Sequence, residues 1–411
     1  MLSVSSIDAV LKSYYLDAIC ASLNTGVSPL YSAIEKSAAE ITGKDAVVPT
    51  MYGVCGGLGS TDETGELPDS GECLRTGFTV PLKNIYGVID ISDKALRASR
   101  DNASGIVGLL NTEIKAMVRS AQFNLNRMLW MDGTGLLATV KTFTNGAMPT
   151  ATVDDTRFLA EGMKVDFYRS GAAVMTGVRI ADVNHETKTL TFPYGIMNTN
   201  SLQTGDLIYI QKSKGNEVNG IPYVFDTGNT YFGVNKATNP GIKPVEKSLG
   251  DELTVDAMQE FFDTASLRAG VQPDMIVCSM KTRRQYLKQL ELNRRNIDYL
   301  NLDGGFKTLA FNGIPVVGER FAPDGEMYFL NTPTLKLVQL NDWEWLEGEN
   351  GSILNQLDRK AVYTATLVKY ANFVAAYPRG QARLKGIEDP SSSTTTSGGT
   401  DSGSGADDAT G

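Results

Sequence analysis

The stretch SGIVGLLNTEIKAMVRSAQFNLNRMLWM, residues 104–131, carries the clearest periodicity of the sequence. Its apolar side chains recur every three or four residues, which is the spacing of one helical face. They are Ile106, Leu110, Ile114, Met117, Ala121, Leu125 and Met128. At 1.5 Å per residue, a helix of this length is about 40 Å long. The sequence therefore predicts one long helix, which ends at the glycine-containing DGTG that follows.

The chain upstream of this helix predicts two short helices and then a hairpin. Residues 6–20 and 28–41 have the apolar spacing of amphipathic helices. Two extended runs follow, Ala46-Val47-Val48 and Phe78 to Ser92, and the polar stretch GVCGGLGSTDETGELPDSGE at 53–72 separates them. This pattern is typical of a protruding hairpin. A loop of this length in a compact domain is usually functional or disordered.

Glycines and charged residues of the hairpin are our candidates for contact with another subunit. Glycine adopts backbone angles that other residues avoid. We therefore expect Gly56 and Gly57 to let the tip bend differently in different surroundings. Glu66 in the tip, and Arg75 and Lys83 on the returning strand, complete this set of candidates.

The chain beyond the long helix divides into β-rich, mixed and polar parts. Residues 150–225 contain several short strands, which predicts a small barrel or sandwich inserted into a larger domain. Residues 253–340 alternate between helical and extended patterns, as in an α+β domain, and a long extended run covers Val362 to Tyr377. Residues 388–411 have almost nothing to bury and predict a flexible tail.

The composition argues against several classes of function. The 411 residues carry a net charge of −9, whereas a free duplex-DNA binder normally has a basic face. With one histidine and four cysteines that form no C-x-x-C pair, we expect no metal site. Cys55 and Cys73 flank the polar tip and could form a disulfide, but we favour reduced thiols. The N-terminal MLSVSSIDAVLKSYYL does not resemble a signal peptide, and we expect no membrane span.

Catalytic signatures are missing, and one basic segment has two interpretations. The sequence contains no G-x-S-x-G, H-E-x-x-H or G-x-x-x-x-G-K-[ST] motif, and we expect His185 to be an exposed turn residue. The stretch KTRRQYLKQLELNRR, residues 281–295, could contact an anion or another subunit through Arg283 and Arg284. The alternative, which we favour, is the solvated face of a helix. The apolar face of that helix would comprise Tyr286, Leu287 and Leu290.

In the order of these parts, the chain resembles the HK97-fold major capsid proteins of tailed double-stranded-DNA phages. The motifs behind the resemblance are RTGFTVPLKNIYGVIDIS, NRMLWMDGTG, QPDMIVCSMKTRRQYL and KAVYTATLVKYANFVAAYPRGQARLKGI. It implies an α+β fold with an inserted β-barrel-like domain. The implied parts are an N-terminal arm at 1–50, an extended loop (E-loop) at 51–92, a P-domain with the spine helix at 93–149, the inserted domain at 150–225, an A-domain with P-domain connections at 226–340, P-domain return strands at 341–387 and the tail at 388–411.

The resemblance also implies a function and partners. A member of this family is not an enzyme and needs no cofactor. It assembles with copies of itself into the hexamers and pentamers of an icosahedral head, in the cytoplasm of the bacterial host. The head encloses double-stranded DNA without sequence-specific binding. A scaffolding protein and a portal protein are the implied partners, with a decoration protein as a further candidate and no membrane.

Three points stay open at this stage. Some relatives crosslink their subunits through a Lys–Asn bond, for which Lys83 with Asn372 or Asn350 is conceivable here. An encapsulin-like compartment has the same fold and holds protein cargo. A structural protein of a phage tail or baseplate is a third alternative, suggested by the β-rich middle of the chain.

Overall fold

The computed structural model describes residues 15–38, 41–53, 56–94, 103–195, 202–225, 228, 230–292, 299–302, 306–348 and 351–389. The α-helices among these residues are α1 Leu16–Thr25, α2 Pro29–Ala33, α3 Ala103–Leu129, α4 Ile221–Phe225, α5 Val255–Ala269 and α6 Met280–Leu292. Short 3₁₀ helices occupy Pro240–Ile242, Thr332–Thr334 and Pro378–Gly380. The long helix predicted over 104–131 is thus present as α3.

Strands make up most of the remaining regular structure. In chain order they are β1 Glu35–Ser37, β2 Ile41–Thr42, β3 Asp45–Tyr52, β4 Leu74–Pro81, β5 Lys83–Ser92, β6 Leu136–Thr144, β7 Thr150–Val153, β8 Lys164–Arg169, β9 Ala172–Arg179, β10 Asp182–Asn184, β11 Thr189–Thr191, β12 Leu207–Ile210, β13 Thr230–Tyr231, β14 Val234–Asn235, β15 Val245–Glu252, β16 Met275–Ser279, β17 Tyr299–Leu302, β18 Phe306–Phe311, β19 Ile314–Glu319, β20 Met327–Leu330, β21 Leu335–Gln339, β22 Glu344–Trp345, β23 Asn355–Gln356, β24 Val362–Ala375 and β25 Ala382–Glu388.

A six-stranded sheet built around β24 supports the long helix. β24 pairs antiparallel with β5 along its length, and with β21, β22 and β23. The helices α1 and α3 pack against the same face of this sheet. Ile114 and Met117 of α3 pack with Ile89 of β5 and Leu367 of β24 in one buried cluster, together with Ile19 of α1. The stripe of α3 from Ile114 to Leu125 is therefore covered by strands from the N-terminal and C-terminal parts of the chain.

The second predicted helix is much shorter than expected. The helix begins where the sequence predicts, because the Ser28 hydroxyl accepts a hydrogen bond from the backbone N–H of Tyr31 at 3.1 Å. The helix nevertheless ends after Ala33, and residues 35–37 form β1, which pairs in parallel with β21. Pairing with a distant strand has outweighed the local helical pattern. The predicted helix over 6–20 lies mostly outside the described residues, and α1 extends to Thr25.

The β-rich middle folds as a seven-stranded antiparallel sheet in the order β10-β11-β7-β6-β12-β8-β9. Its inner side chains are fully buried, among them Val140, Phe167, Leu190 and Ile208. No ladder among the described residues joins the end strands β9 and β10. The predicted β-rich unit is present, and its closure into a barrel stays a prediction.

A second seven-stranded sheet, in the order β15-β25-β20-β16-β19-β18-β17, forms the α+β part together with α5 and α6. α5 begins where the Thr254 hydroxyl accepts from the N–H of Ala257, and ends at Gly270 in the left-handed conformation. The expected tail begins later than 388, because β25 pairs with β15 as far as Glu388 and Asp389 lies 2.8 Å from Lys281. Residues 390–411 lie outside the described residues.

Candidate functional site

A hairpin anchored in the body of the protein forms the most distinctive surface feature. β3 and β4 pair over eight positions, from Asp45 opposite Pro81 to Tyr52 opposite Leu74. The inner face of the pair is buried in the main core and comprises Ala46, Val48, Phe78 and Val80. The Phe78 ring packs edge-on against Tyr231 with 5.0 Å between centroids. The base of the hairpin is therefore rigidly held.

The tip of this hairpin, residues 56–72, behaves differently from its base. Every residue of the tip is exposed, including Leu58 at 92% and Leu67 at 85% of their surface. The two sides of this loop run close together, since a Cβ on Gly56 would lie 2.9 Å from the Cα of Gly71. Gly57 has a φ of +91°, which other residues rarely adopt. Both candidate glycines are thus required by backbone geometry, whereas variable bending of the tip stays a prediction.

Acidic residues give the tip a uniform charge. Residues 56–72 contain no lysine or arginine. The acidic side chains, all exposed, are Asp62, Glu63, Glu66, Asp69 and Glu72. Because like charges repel, two tips disfavour each other, and a neutral or basic surface is the better partner.

The reduced state that we favoured for the cysteines flanking the tip is wrong for Cys73. Cys73 is disulfide-bonded, and Cys55 lies outside the described residues. Cys20 and Cys278 are free thiols, and burial raises the pKa of the Cys20 thiol to about 11 and that of Cys278 to about 12. Neither free thiol is therefore a reactive thiolate at neutral pH.

The two basic candidates of the hairpin differ in their surroundings. Arg75 is exposed on β4, opposite Met51. Lys83 is half-buried, and its Nζ donates to the carbonyl oxygen of Gly215 at 2.9 Å, while burial lowers its pKa. Arg75 is thus available to a neighbour, whereas Lys83 ties β5 to the loop after β12.

The conceivable crosslinking partners of Lys83 are poorly placed or outside the described residues. Asn372 is fully buried. Its amide donates to the carbonyl oxygen of Pro81 at 2.8 Å and accepts from the N–H of Asn219 at 2.9 Å. This geometry opposes a bond from Asn372 to a lysine of another copy. Asn350 lies outside the described residues.

An open groove of about 880 Å³ runs beside the contact between β5 and α3. Residues 81–89 form one wall, and one face of α3 from Glu113 to Met128 forms the other. Ile85 and Met117 contribute apolar surface, and the lining carries both signs of charge, with Lys83 and Lys212 beside Glu113 and Glu217.

The basic helix α6 buries the predicted apolar face, while the role of its two arginines stays a prediction. Tyr286 and Leu290 are buried in the core under the second seven-stranded sheet, and Leu287 packs against them. Arg284 is exposed, and Arg283 is half-buried with its Nε unpartnered among the described residues. The two arginines thus lie on a different element from the hairpin candidates.

The described residues provide no metal cluster and no membrane-spanning helix. Among those residues, no three His, Cys, Asp or Glu side chains are grouped as a metal ion would require. No described helix is both long and apolar enough to cross a membrane. His185 is exposed beside β10, and its Nδ1 lies 3.0 Å from the hydroxyl of Thr156.

Two buried polar pairs were not predicted from the sequence. The guanidinium of Arg127 on α3 binds both carboxylate oxygens of Glu217 at 2.8 and 2.7 Å, and both side chains are fully buried. The amide of Asn126 reaches Glu319 at the end of β19. The partners lie 90 and 193 positions apart, so no local pattern could have paired them.

Comparison with solved structures identifies the fold. The capsid asymmetric unit of cyanophage A-1(L) superposes with a TM-score of 0.51 at 14% identity, covering 87% of this chain and 92% of that chain. This chain has the HK97-like capsid fold. Weaker matches include the SrpI encapsulin of Synechococcus elongatus PCC 7942, with a TM-score of 0.44, 10% identity and coverage of 88% and 89%, and Mycobacterium phage Bobi, with 0.42, 10%, 94% and 98%. No family model and no curated protein matches the sequence.

Proposed function

We propose that the protein is the major capsid protein of a tailed double-stranded-DNA phage, with a structural role and no enzymatic activity. Copies of the chain would form the hexamers and pentamers of an icosahedral head. The likeness in fold to the cyanophage capsid supports this proposal, but at 14% identity it concerns the fold alone. The function therefore depends on the surface of this chain.

The hairpin tip carries the proposal. Residues 56–72 bury none of their side chains on their own subunit, and they present Leu58 and Leu67 almost completely to solvent. Apolar side chains exposed on a projecting ribbon gain free energy by burial, at about 25 cal/mol per Å². A second copy offers that burial, and a stable contact needs roughly 800 Å² per partner.

The remaining assignments follow from the same proposal. Residues 1–50 would be the arm, 51–92 the extended loop and 93–149 with 341–387 the P-domain. Residues 226–340 would contain the A-domain, and 150–225 would be an inserted barrel-like domain. Scaffolding, portal and decoration proteins would be the partners during assembly in the host cytoplasm. The net charge of −9 suits a virion shell that encloses DNA without gripping it.

Electron microscopy of the full chain, co-expressed with a candidate scaffolding protein, tests the proposal. Closed icosahedral shells are the expected result. The double variant Leu58→Ser/Leu67→Ser should yield few closed shells, because it removes the apolar contacts of the tip. Its melting temperature as an unassembled subunit should match that of the unmodified chain.

Leu267→Ser is the matched control, since Leu267 is 85% exposed on α5, away from the hairpin. The control should assemble normally. Normal shells from the tip variant would contradict the role of the tip. Shells that copurify with a protein cargo, and with no nucleic acid during phage growth, would favour an encapsulin-like compartment.

A further inference from the structure

A carboxyl group lies inside the protein where three segments of the chain meet. Glu319, at the end of β19, is only 3% exposed, and Asn126 of α3 is 9% exposed. The third segment is the start of α2, where the hydroxyl of Ser28 and the backbone N–H of Leu30 face the carboxylate. The junction therefore joins the N-terminal segment to the long helix and to the second seven-stranded sheet.

Two buried acceptor atoms at this junction have no hydrogen-bond donor among the described residues. Nδ2 of Asn126 donates to Oε2 of Glu319 at 3.4 Å, which is long for such a bond. Oε1 of Glu319 and Oδ1 of Asn126 are both buried and have no partner within the described part of the chain. Both atoms are acceptors when the carboxyl group is ionised. One proton on Glu319 would turn its unpartnered oxygen from an acceptor into a donor and would remove the buried charge.

No charged group among the described residues forms an ion pair with Glu319 that would stabilise its ionised form. The titratable and charged groups placed next to this junction are Tyr31 of α2, Arg127 beside Asn126, Cys278 of β16 opposite Gly318, Arg283 against Gly318, and Arg320 beside Glu319. Arg127 is bound to Glu217, and the guanidinium of Arg320 lies over the ring of Phe123 at 5.3 Å. Burial raises the pKa of the Glu319 carboxyl to about 7, and the hydrogen bonds from Asn126, Ser28 and Leu30 offset this only in part.

We propose that Glu319 is a proton-operated lock that holds the N-terminal segment, residues 15–34, against α3 and β19. In the protonated form, the carboxyl group bridges Asn126 and the start of α2 without a buried charge. In the ionised form, it leaves an unpaired charge in the interior, which is costly. The lock is closed at acidic pH and weakens as the pH rises.

Linkage between proton binding and folding gives the direction of the pH dependence. The folded-state pKa of Glu319 lies above that of an unfolded chain, so the protonated junction contributes fully below the unfolded value of about 4.3. This contribution is lost as the pH rises through about 7. The stability of the segment 15–34 should therefore fall as the pH rises from about 4.3 to about 7 and then level off, so that pH 6 and pH 8.5 span the last, roughly tenfold part of the fall.

Hydrogen exchange on the full chain tests the lock. The measured quantity is the protection factor of peptides from residues 15–34, which corrects for the intrinsic pH dependence of exchange. In the unmodified chain it should fall about tenfold or more between pH 6 and pH 8.5. In Glu319→Gln it should stay constant, because the glutamine amide donates a hydrogen bond and carries no charge. Glu186→Gln, in an exposed turn, is the matched control and should follow the unmodified chain.

An infrared difference spectrum of the unmodified chain supplies a readout that does not depend on the variant folding. A buried protonated carboxyl band should disappear between pH 6 and pH 8.5, and its midpoint should lie near 7. Absence of that band, or an equal fall in protection in Glu319→Gln and the unmodified chain, would overturn the proposal.

Discussion

Replacing Arg127 by methionine should destabilise the protein more than any surface charge substitution. The guanidinium and the Glu217 carboxylate form two parallel hydrogen bonds of 2.8 and 2.7 Å, with both side chains fully buried. Methionine is of comparable length, so packing changes little, but Glu217 is left as an unpaired buried charge. Removing one partner of such a pair costs about 3–5 kcal/mol of unfolding free energy.

The structure also predicts where this cost appears. α3 carries Arg127 near its end, and Glu217 follows β12 of the β-rich unit. The pair therefore fastens that unit to the long helix. In Arg127→Met, hydrogen exchange should speed up first in residues 203–220 and at the end of α3.

Urea denaturation of unassembled subunits measures the magnitude. The double variant Arg127→Met/Glu217→Leu should cost less than the sum of the two single changes, because no unpaired charge remains. Lys247→Met is the control, since Lys247 forms a solvent-exposed pair with Glu260 and should cost at most about 1 kcal/mol. A cost below about 1 kcal/mol for Arg127→Met, or strictly additive effects, would refute the reasoning.

Two further outcomes can be measured on the same subunits. Phe78→Ala should cost about 3–5 kcal/mol in urea, because the ring is fully buried against Tyr231 at the base of the hairpin; a loss below about 1 kcal/mol would contradict this anchoring. Burial raises the pKa of Asp342, but the hydrogen bond and charge of Lys369 outweigh it and hold the pKa below its usual value. The free energy that this pair adds to folding is present above about pH 3.9, and it is lost as the pH falls through the pKa of Asp342 in the folded protein. Asp342→Asn should flatten this acid-side fall in melting temperature; an unchanged slope would argue against the pair.

Elements with a strong local pattern could be predicted from the sequence. The periodic stripe placed α3 at 104–131, and the helix spans 103–129. In the α+β part, the stretch 281–295, which the sequence assigned to a helix, corresponds to α6. For both helices the apolar spacing agrees with the tertiary environment.

Features that depend on distant partners could not be predicted. Residues 34–41 have a helical pattern, yet β1 forms there because β21, about 300 positions later, offers a parallel ladder. The same holds for Glu319, whose environment is set by α2 and α3. The hairpin tip was predictable as a polar, glycine-rich segment. The close approach of Gly56 to Gly71 depends on the register of β3 and β4.

The central position of β24 has a consequence for synthesis on the ribosome. Asp90 of β5 and its partner Thr364 of β24 are 274 positions apart. At 5–20 residues per second, roughly 14–55 s pass before the ribosome has made the strand that β5 needs. During that interval, the apolar side of α3 has no completed sheet to cover it. A nascent chain therefore cannot present a finished subunit to its neighbours until translation is nearly over, and this delay separates folding from association in time.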